Sequence, residues 1–167
     1  MILKNPMKMT NNKEEQSEIR NKVIKYLARR EHSRYELYKK LNRKDYNRSN
    51  INQILDELED KDYINDERFA RSWIKSRLRL KPRGPRLIKK ELAQKGVAKS
   101  LQDRLIFELV SEEKELEMAE KLSRKWLRKK RGKENLDKKL YRYLSNKGFS
   151  GNISMTILDN FRDKNLL

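Results

Sequence analysis

Apolar residues recur along this chain at intervals of three or four positions, the spacing of one face of an α-helix. The clearest series are spaced by four and comprise Ile19, Val23 and Leu27, then Ala70, Ile74 and Leu78. No stretch sustains the alternation of apolar and polar residues that is typical of a half-buried strand. The pattern therefore predicts an all-α protein.

Residues that favour helix ends separate these apolar series. Ser33-Arg34-Tyr35-Glu36 fits a capping box, in which the Ser hydroxyl and the Glu carboxylate satisfy free N–H groups at a helix start. Pro85 suits the first turn of a helix because it has no N–H to satisfy. Gly96 stands where a left-handed residue is expected to end that same helix. The segment around residues 66–97 is thus predicted to be two helices joined by a short break.

A motif of Leu, three residues, Gly or Asp and a large apolar residue occurs three times, about 51 residues apart, at 41–46, 92–97 and 144–149. Its Leu packs the last turn of a helix, its Gly ends that helix in the left-handed conformation, and its apolar residue closes the corner. Asp45 replaces Gly in the first copy, and Asp visits this conformation more readily than most residues. The chain is therefore expected to contain three tandem three-helix repeats of helix-turn-helix type.

The repeats are assigned to residues 17–65, 66–112 and 113–167, after a flexible leader at residues 1–16. Charged residues make up 41% of the chain and hydrophobic residues 35%, a composition that raises the possibility of disorder. The regular apolar spacing argues against disorder. The second repeat is the most basic, because the segment from Arg68 to Lys99 contains twelve Lys or Arg and the single acid Glu91.

The formal charge of +18 indicates a polyanionic partner, either a nucleic acid or an acidic surface. The candidate partner- or nucleic-acid-binding residues are the cations of the basic helix-turn-helix: Arg68, Arg71, Lys75, Arg77, Arg79, Lys81, Arg83, Arg86, Lys89 and Lys90. Most charge runs are solvated helix faces, but like charges at this density repel one another unless an anion meets them. Within the set, six residues are expected to have no structural role: Arg71, Arg77, Arg79, Arg83, Arg86 and Lys90.

The two tryptophans allow two interpretations. The indole rings of Trp73 and Trp126 could serve as platforms on which the bases of a single-stranded nucleic acid stack. Both also fall in apolar helical stripes, which favours packing in the core.

Residues for catalysis are missing from the sequence. There is no Cys, and the only His, His32, is expected to be exposed in a turn, so neither a zinc site nor a catalytic triad can be assembled. No closely spaced glycines precede a helix to cradle a phosphate. We therefore expect a protein that is not an enzyme and has no cofactor, metal or small-molecule substrate.

Neither a signal peptide nor an apolar run of membrane-spanning length is found in the sequence. The sequence thus predicts a cytoplasmic monomer without membrane contact.

Three segments together resemble the RecX family of bacterial regulators of the RecA recombinase. They are Leu27-Ala28-Arg29-Arg30-Glu31-His32-Ser33, the stretch from Tyr63 to Arg71, and the stretch from Arg83 to Val97. The resemblance covers about residues 17–163 and is thinnest in the third repeat, where Asn146-Lys147-Gly148-Phe149 is the main match.

Membership of this family would imply an elongated, curved array of three-helix repeats. It would also imply binding along the groove of the RecA filament on single-stranded DNA, with inhibition of recombinase, ATPase and coprotease activities in DNA repair and the SOS response. The alternative is a stand-alone helical nucleic-acid-binding protein or transcription regulator, whose recognition helix would carry Arg86, Lys89, Lys90 and Gln94. The residues alone leave open whether DNA is contacted directly.

Overall fold

The computed structural model describes residues 12–129 and 135–166, and every regular element within them is an α-helix. In chain order these are α1 (Asn12–Leu27), α2 (Arg34–Asn42), α3 (Arg48–Asp60), α4 (Asp66–Arg79), α5 (Pro85–Gln94), α6 (Lys99–Leu109), α7 (Glu112–Leu127), α8 (Leu136–Asn146) and α9 (Gly151–Asp163). The prediction of an all-α, helical-repeat fold is confirmed. None of these helices combines the length and the apolar character needed to cross a membrane.

The chain divides into two compact units, one ending at Phe69 and the other beginning at Ala70. In the first unit α1 and α2 pack on α3 around fully buried side chains such as Ile19, Leu37 and Leu55. The boundaries assigned to the three repeats remain a prediction.

The core of the second unit is built by α7, α8 and α9. Leu140, Leu144 and Phe161 are fully buried in it, and Leu78 at the end of α4 packs against the same cluster. Helices α5 and α6 pack on each other within this unit. Leu78 thereby joins the end of α4 to the core that α7, α8 and α9 build.

Two of the three predicted corners end in a left-handed glycine. Gly96 has φ of 78° and Gly148 has φ of 88°, values that a residue with a side chain rarely adopts. The backbone N–H of Val97 donates to the Leu92 carbonyl at 3.1 Å, the long-range bond of a Schellman motif. In the first copy Asp45 adopts φ of 57°, as its short polar side chain allows.

The start of α5 contacts the corner between α8 and α9 through two backbone hydrogen bonds. Gly84 N–H donates to the Lys147 carbonyl at 2.8 Å, and Arg86 N–H donates to the Gly148 carbonyl at 3.1 Å. A Cβ atom added to Gly84 would lie 2.3 Å from the carbonyl carbon of Gly148. Only glycine therefore permits this approach, which fixes the start of α5 on the third repeat.

The predicted flexible leader is wrong for residues 12–16, because α1 begins at Asn12. Side chains of its first turns bond to α3 and to the residue that caps it. Gln16 Nε2 donates to Gln53 Oε1 at 2.8 Å, and Glu15 Oε1 accepts from the backbone N–H of Asn47 at 3.3 Å. These long-range bonds give the polar segment a fixed helical course that its composition does not signal. Residues 1–11 lie outside the described part of the chain.

The expectation that His32 is exposed is also wrong, since only 3% of its surface is accessible. Its Nδ1 lies 2.9 Å from the Arg30 carbonyl oxygen. Because a carbonyl only accepts, Nδ1 carries the proton in this contact. Burial lowers the pKa of His32 below its ordinary value of 6.5, so the folded protein holds this ring neutral.

Replacing Gly84 with Ala is expected to lower the free energy of unfolding by about 1–3 kcal/mol, because the new methyl group overpacks the Gly148 backbone. Gly151→Ala is the matched control, since a Cβ there meets only the Tyr141 hydroxyl, at 3.4 Å. Urea unfolding of both variants measures the difference. Equal stability of the two variants would show that the close approach is unimportant.

Stability is expected to depend on pH through His32. A group whose pKa is lowered on folding binds fewer protons in the folded state, so stability falls as pH drops through the ordinary histidine pKa. Comparing wild type with His32→Asn by urea unfolding at about pH 7.5 and about pH 5 isolates this contribution. The stability difference between the two proteins should shrink at the lower pH. A difference that does not change with pH would contradict the buried neutral state.

Candidate partner-binding surface

The ten predicted binding residues fall into two groups that differ in their ion pairs. Half of them are partly buried and pair with carboxylates: Arg68 with Glu31 and Asp62, Arg71 with Glu108, Arg77 and Arg83 with Glu91, and Lys89 with Asp103. Arg68 lies in the first compact unit and the other nine lie in the second. These five cations have structural contacts in the folded chain.

Glu91 is the centre of the most buried of these clusters. Its Oε2 accepts from Arg77 Nε at 2.6 Å and from Trp73 Nε1 at 2.9 Å. Arg83 Nε lies 2.9 Å from Oε1, an ion-pair distance, although its N–H lacks the alignment of a hydrogen bond. The side chains of Arg77 and Glu91 are each only 16% exposed. A single acid in a strongly basic segment therefore holds two of the predicted binding arginines in place.

Trp73 belongs to the same cluster. The guanidinium of Arg77 lies 4.0 Å from the centroid of its ring, and Lys95 Nζ lies 4.2 Å from it, both within the range of cation–π attraction. A nucleic-acid base would have to displace one of these cations in order to stack on the ring. Trp126 packs against the core of the second unit and stacks with Tyr143 at 5.8 Å between centroids. Both rings are thus engaged within the fold, as their positions in apolar stripes favour.

The prediction that Arg71, Arg77 and Arg83 have no structural role is wrong. Arg71 forms a two-point pair with Glu108, with Nη1 to Oε1 at 2.7 Å and Nη2 to Oε2 at 2.8 Å. Its partner is 37 residues away along the chain, so the pairing follows from the tertiary fold. An arginine fork matches a carboxylate in this geometry, which makes such pairs the more specific ones.

Lys89 is held in a third arrangement, with Asp103 between two lysines. Lys89 Nζ lies 2.6 Å from one Asp103 oxygen, and Lys99 Nζ lies 2.7 Å from the other. The two ammonium groups lower the pKa of Asp103 to about 2. The carboxylate therefore stays charged at any physiological pH, and Lys89 is partly neutralised.

The remaining five predicted residues are exposed and form no ion pair with any other residue that the structure describes: Lys75, Arg79, Lys81, Arg86 and Lys90. Lys75 and Arg79 are one turn apart on α4, and Arg86 and Lys90 are one turn apart on α5, so each pair lies on one face of its helix. We call these five residues the free cations of the second repeat. They provide exposed positive charge for an anionic partner, although Arg86 also lies near enough to Glu115 to interact with its charge.

Sequence reasoning missed two lysines beside Arg79. A cleft of about 270 Å³ opens between the end of α4 and α7, lined by Leu78, Arg79, Pro82, Lys114, Glu117, Met118 and Lys121. Lys114 and Lys121 are seven residues apart and therefore share one face of α7. That spacing was the available signal, but nothing in the sequence places α7 beside the end of α4.

Sequence reasoning also missed further cations, most of them exposed, which lie on α1 and α2 of the first unit and in the turns that follow these helices. These cations form no ion pair with a described residue: Lys25, Arg29, Lys39, Lys40, Arg43 and Lys44. Lys40 Nζ lies 4.7 Å from the ring centroid of Tyr26, and Lys39 Nζ lies 5.3 Å from that of Tyr35. Exposed cations close together suit the phosphates of a single-stranded nucleic acid, which contribute most of the affinity of such complexes.

No group of three or more His, Asp or Glu side chains in residues 12–129 and 135–166 is placed to hold a metal ion.

Comparison with known proteins agrees with this architecture. Residues 20–58 match the family model of the first three-helix domain of RecX, and residues 65–105 match that of the second. The regulatory protein RecX of Prosthecochloris aestuarii is 36% identical over 83% of this chain and 90% of its own length. That of Listeria welshimeri is 34% identical over 80% of this chain, which spans about half, 50%, of the Listeria protein.

Solved structures show the same fold. A crystal structure of regulatory protein RecX is similar with a TM-score of 0.80 and 25% identity, over 89% of this chain and 73% of that one. The crystal structure of RecX from Lactobacillus salivarius has a TM-score of 0.78 and 26% identity, over 89% and 97% of the two chains. By its sequence and by its arrangement of three-helix domains, this chain belongs to the RecX family of regulatory proteins.

Proposed function

We propose that this protein binds the RecA filament on single-stranded DNA and inhibits the recombinase, ATPase and coprotease activities of RecA. The observation that supports this most directly is the set of free cations of the second repeat, which are exposed and form no ion pair with a described residue. The protein would act in the cytoplasm as a monomer, by occupying the filament and without catalysis. Family membership supports the regulatory role.

Electrostatic complementarity chiefly sets the rate and specificity of association. Exposed charge pairs each contribute about 0.2–1 kcal/mol, so several of them together are needed for a measurable effect. Lys75, Arg86 and Lys90 form such a set, because each is exposed on α4 or α5 and none forms an ion pair with a described residue.

Changing Lys75, Arg86 and Lys90 together to Ala is expected to raise the concentration that half-inhibits RecA ATPase by about tenfold or more. Thermal unfolding should stay nearly unchanged, because exposed substitutions away from ion pairs rarely alter stability by more than about 0.5 kcal/mol. The matched control is Lys125→Ala, Arg128→Ala and Lys129→Ala, three exposed cations at the end of α7. Inhibition by the first variant equal to that of wild type would contradict the assignment of this surface.

A second candidate function, binding of single-stranded nucleic acid without RecA, is favoured by the cations of α1, of α2 and of the turns after these helices. They form no ion pair with a described residue, although acidic and basic residues are nearly equal in number over residues 12–69. Acids of this unit pair with other cations, as Glu57 does with Arg20 and Glu59 with Arg34. The exposed cations of α2 and of the turn after it form no such pair and are available to an anion.

Changing Lys39, Arg43 and Lys44 together to Ala should weaken binding to a fluorescent oligothymidine of about twenty nucleotides. Each lost phosphate contact reduces the salt slope of a single-strand complex by about 0.7, so three contacts reduce it by about 2. Fluorescence anisotropy at several salt concentrations measures the slope. An unchanged slope would exclude these residues as phosphate contacts. Unchanged RecA inhibition by the same variant would separate this activity from the proposed regulatory one.

A further inference from the structure

The cleft between α4 and α7 combines an apolar floor with a cationic rim. Leu78 is partly buried and Met118 is only 7% exposed, and together with Pro82 they form the apolar part. Arg79, Lys114 and Lys121 are exposed at its edge. The cleft has a volume of about 270 Å³, room for one or two large side chains.

The charges of this cleft are not explained by the folding of the chain. None of its three cations forms an ion pair with another described residue, including Glu117, the one acid in the lining. Lys114 lies in the first turn of α7, where the positive end of the helix dipole disfavours a cation. Three cations thus share one small depression with a single carboxylate, an arrangement that an anionic ligand would relieve.

The lining also indicates which anionic ligand fits. It contains no aromatic ring, so it lacks the platform on which single-stranded nucleic acids stack their bases. An aliphatic floor suits an aliphatic or aromatic side chain, and the cations at the rim suit carboxylates on either side of it. The lining therefore fits a protein segment better than a nucleotide.

We propose that this cleft binds an acidic peptide segment of a partner protein, in which one or two large apolar residues are flanked by Asp or Glu. The apolar side chain contacts Leu78, Pro82 and Met118. The flanking carboxylates pair with Arg79, Lys114 and Lys121. The identification of that partner with the RecA filament rests on the proposed function, whereas the chemistry of the cleft does not.

Methyl signals of ¹³C-labelled methionine test the site in the full chain. Met118 lies in this cleft, and Met155 lies in a separate groove between α8 and α9, where it serves as an internal reference. The probe is the capped hexapeptide Glu-Glu-Leu-Leu-Glu-Glu, compared with Glu-Glu-Ser-Ser-Glu-Glu and with a thymidine tetranucleotide. We expect the leucine peptide to shift the Met118 signal saturably, and to do so at lower concentration than either comparison ligand.

Changing Arg79 and Lys121 together to Ala should lower the affinity for the leucine peptide about tenfold, as expected for the loss of two exposed charge contacts. Lys138→Ala with Arg142→Ala removes two cations from the α8–α9 groove and should leave the affinity unchanged. Equal affinities for the two peptides, tighter binding of the oligonucleotide, or a shift of Met155 in place of Met118 would each overturn the proposal.

RecA ATPase inhibition measured on the same variants separates this inference from the proposed function. The absence of any Met118 shift in a protein that still inhibits RecA would overturn the cleft assignment alone. Saturable binding of the leucine peptide at Met118 in a protein that does not inhibit RecA would support the cleft and overturn the proposed partner.

Discussion

The second unit depends on a place where two stretches of backbone meet without side chains. The N–H groups at the start of α5 must be satisfied, and they are satisfied by carbonyls of the α8–α9 corner, which are themselves left free by the left-handed turn at Gly148. These two hydrogen bonds thus satisfy N–H groups at the start of α5 and carbonyl groups just after the end of α8. They also fix the direction of α5, and with it the positions of Arg86 and Lys90. Arg86 and Lys90, two of the candidate binding residues, are therefore oriented by glycines that carry no charge.

Carboxylates in the second repeat form ion pairs with some of its cations and leave the other cations exposed to solvent. Glu91, Asp103 and Glu108 each take up one or two basic side chains and leave the others to solvent. Since paired arginines are held in fixed geometry and unpaired lysines keep their rotamer freedom, the two groups differ in the entropy they lose on binding. The positions of the acids therefore determine which cations of the candidate surface are free of ion pairs.

Local features of the fold could be predicted from the sequence, because helix starts, helix ends and apolar stripes involve residues a few positions apart. Pro85 and Gly96 are examples, and both are found where their chemistry places them. Long-range contacts could not be predicted in this way. Arg77 meets Glu91 across a helix break, Arg71 meets Glu108 from a different helix, and the environment that buries His32 is assembled by the tertiary fold.

The candidate surface was accordingly predicted in outline, while its division into paired and free cations required the structure. The cleft beside Arg79 shows the same limit, since its lysines come from a helix that follows two intervening ones. A period in the sequence shows which residues share a face of one helix. It does not show which helix lies opposite.

Charge is distributed unequally between the two units. Acidic and basic residues nearly balance over residues 12–69, so most of the formal charge of +18 belongs to the chain from Ala70 onward. A polyanion therefore attracts the chain mainly through the residues from Ala70 onward, over distances up to about a Debye length. Association would then be faster than random collision allows, and this rate advantage would disappear as salt is added.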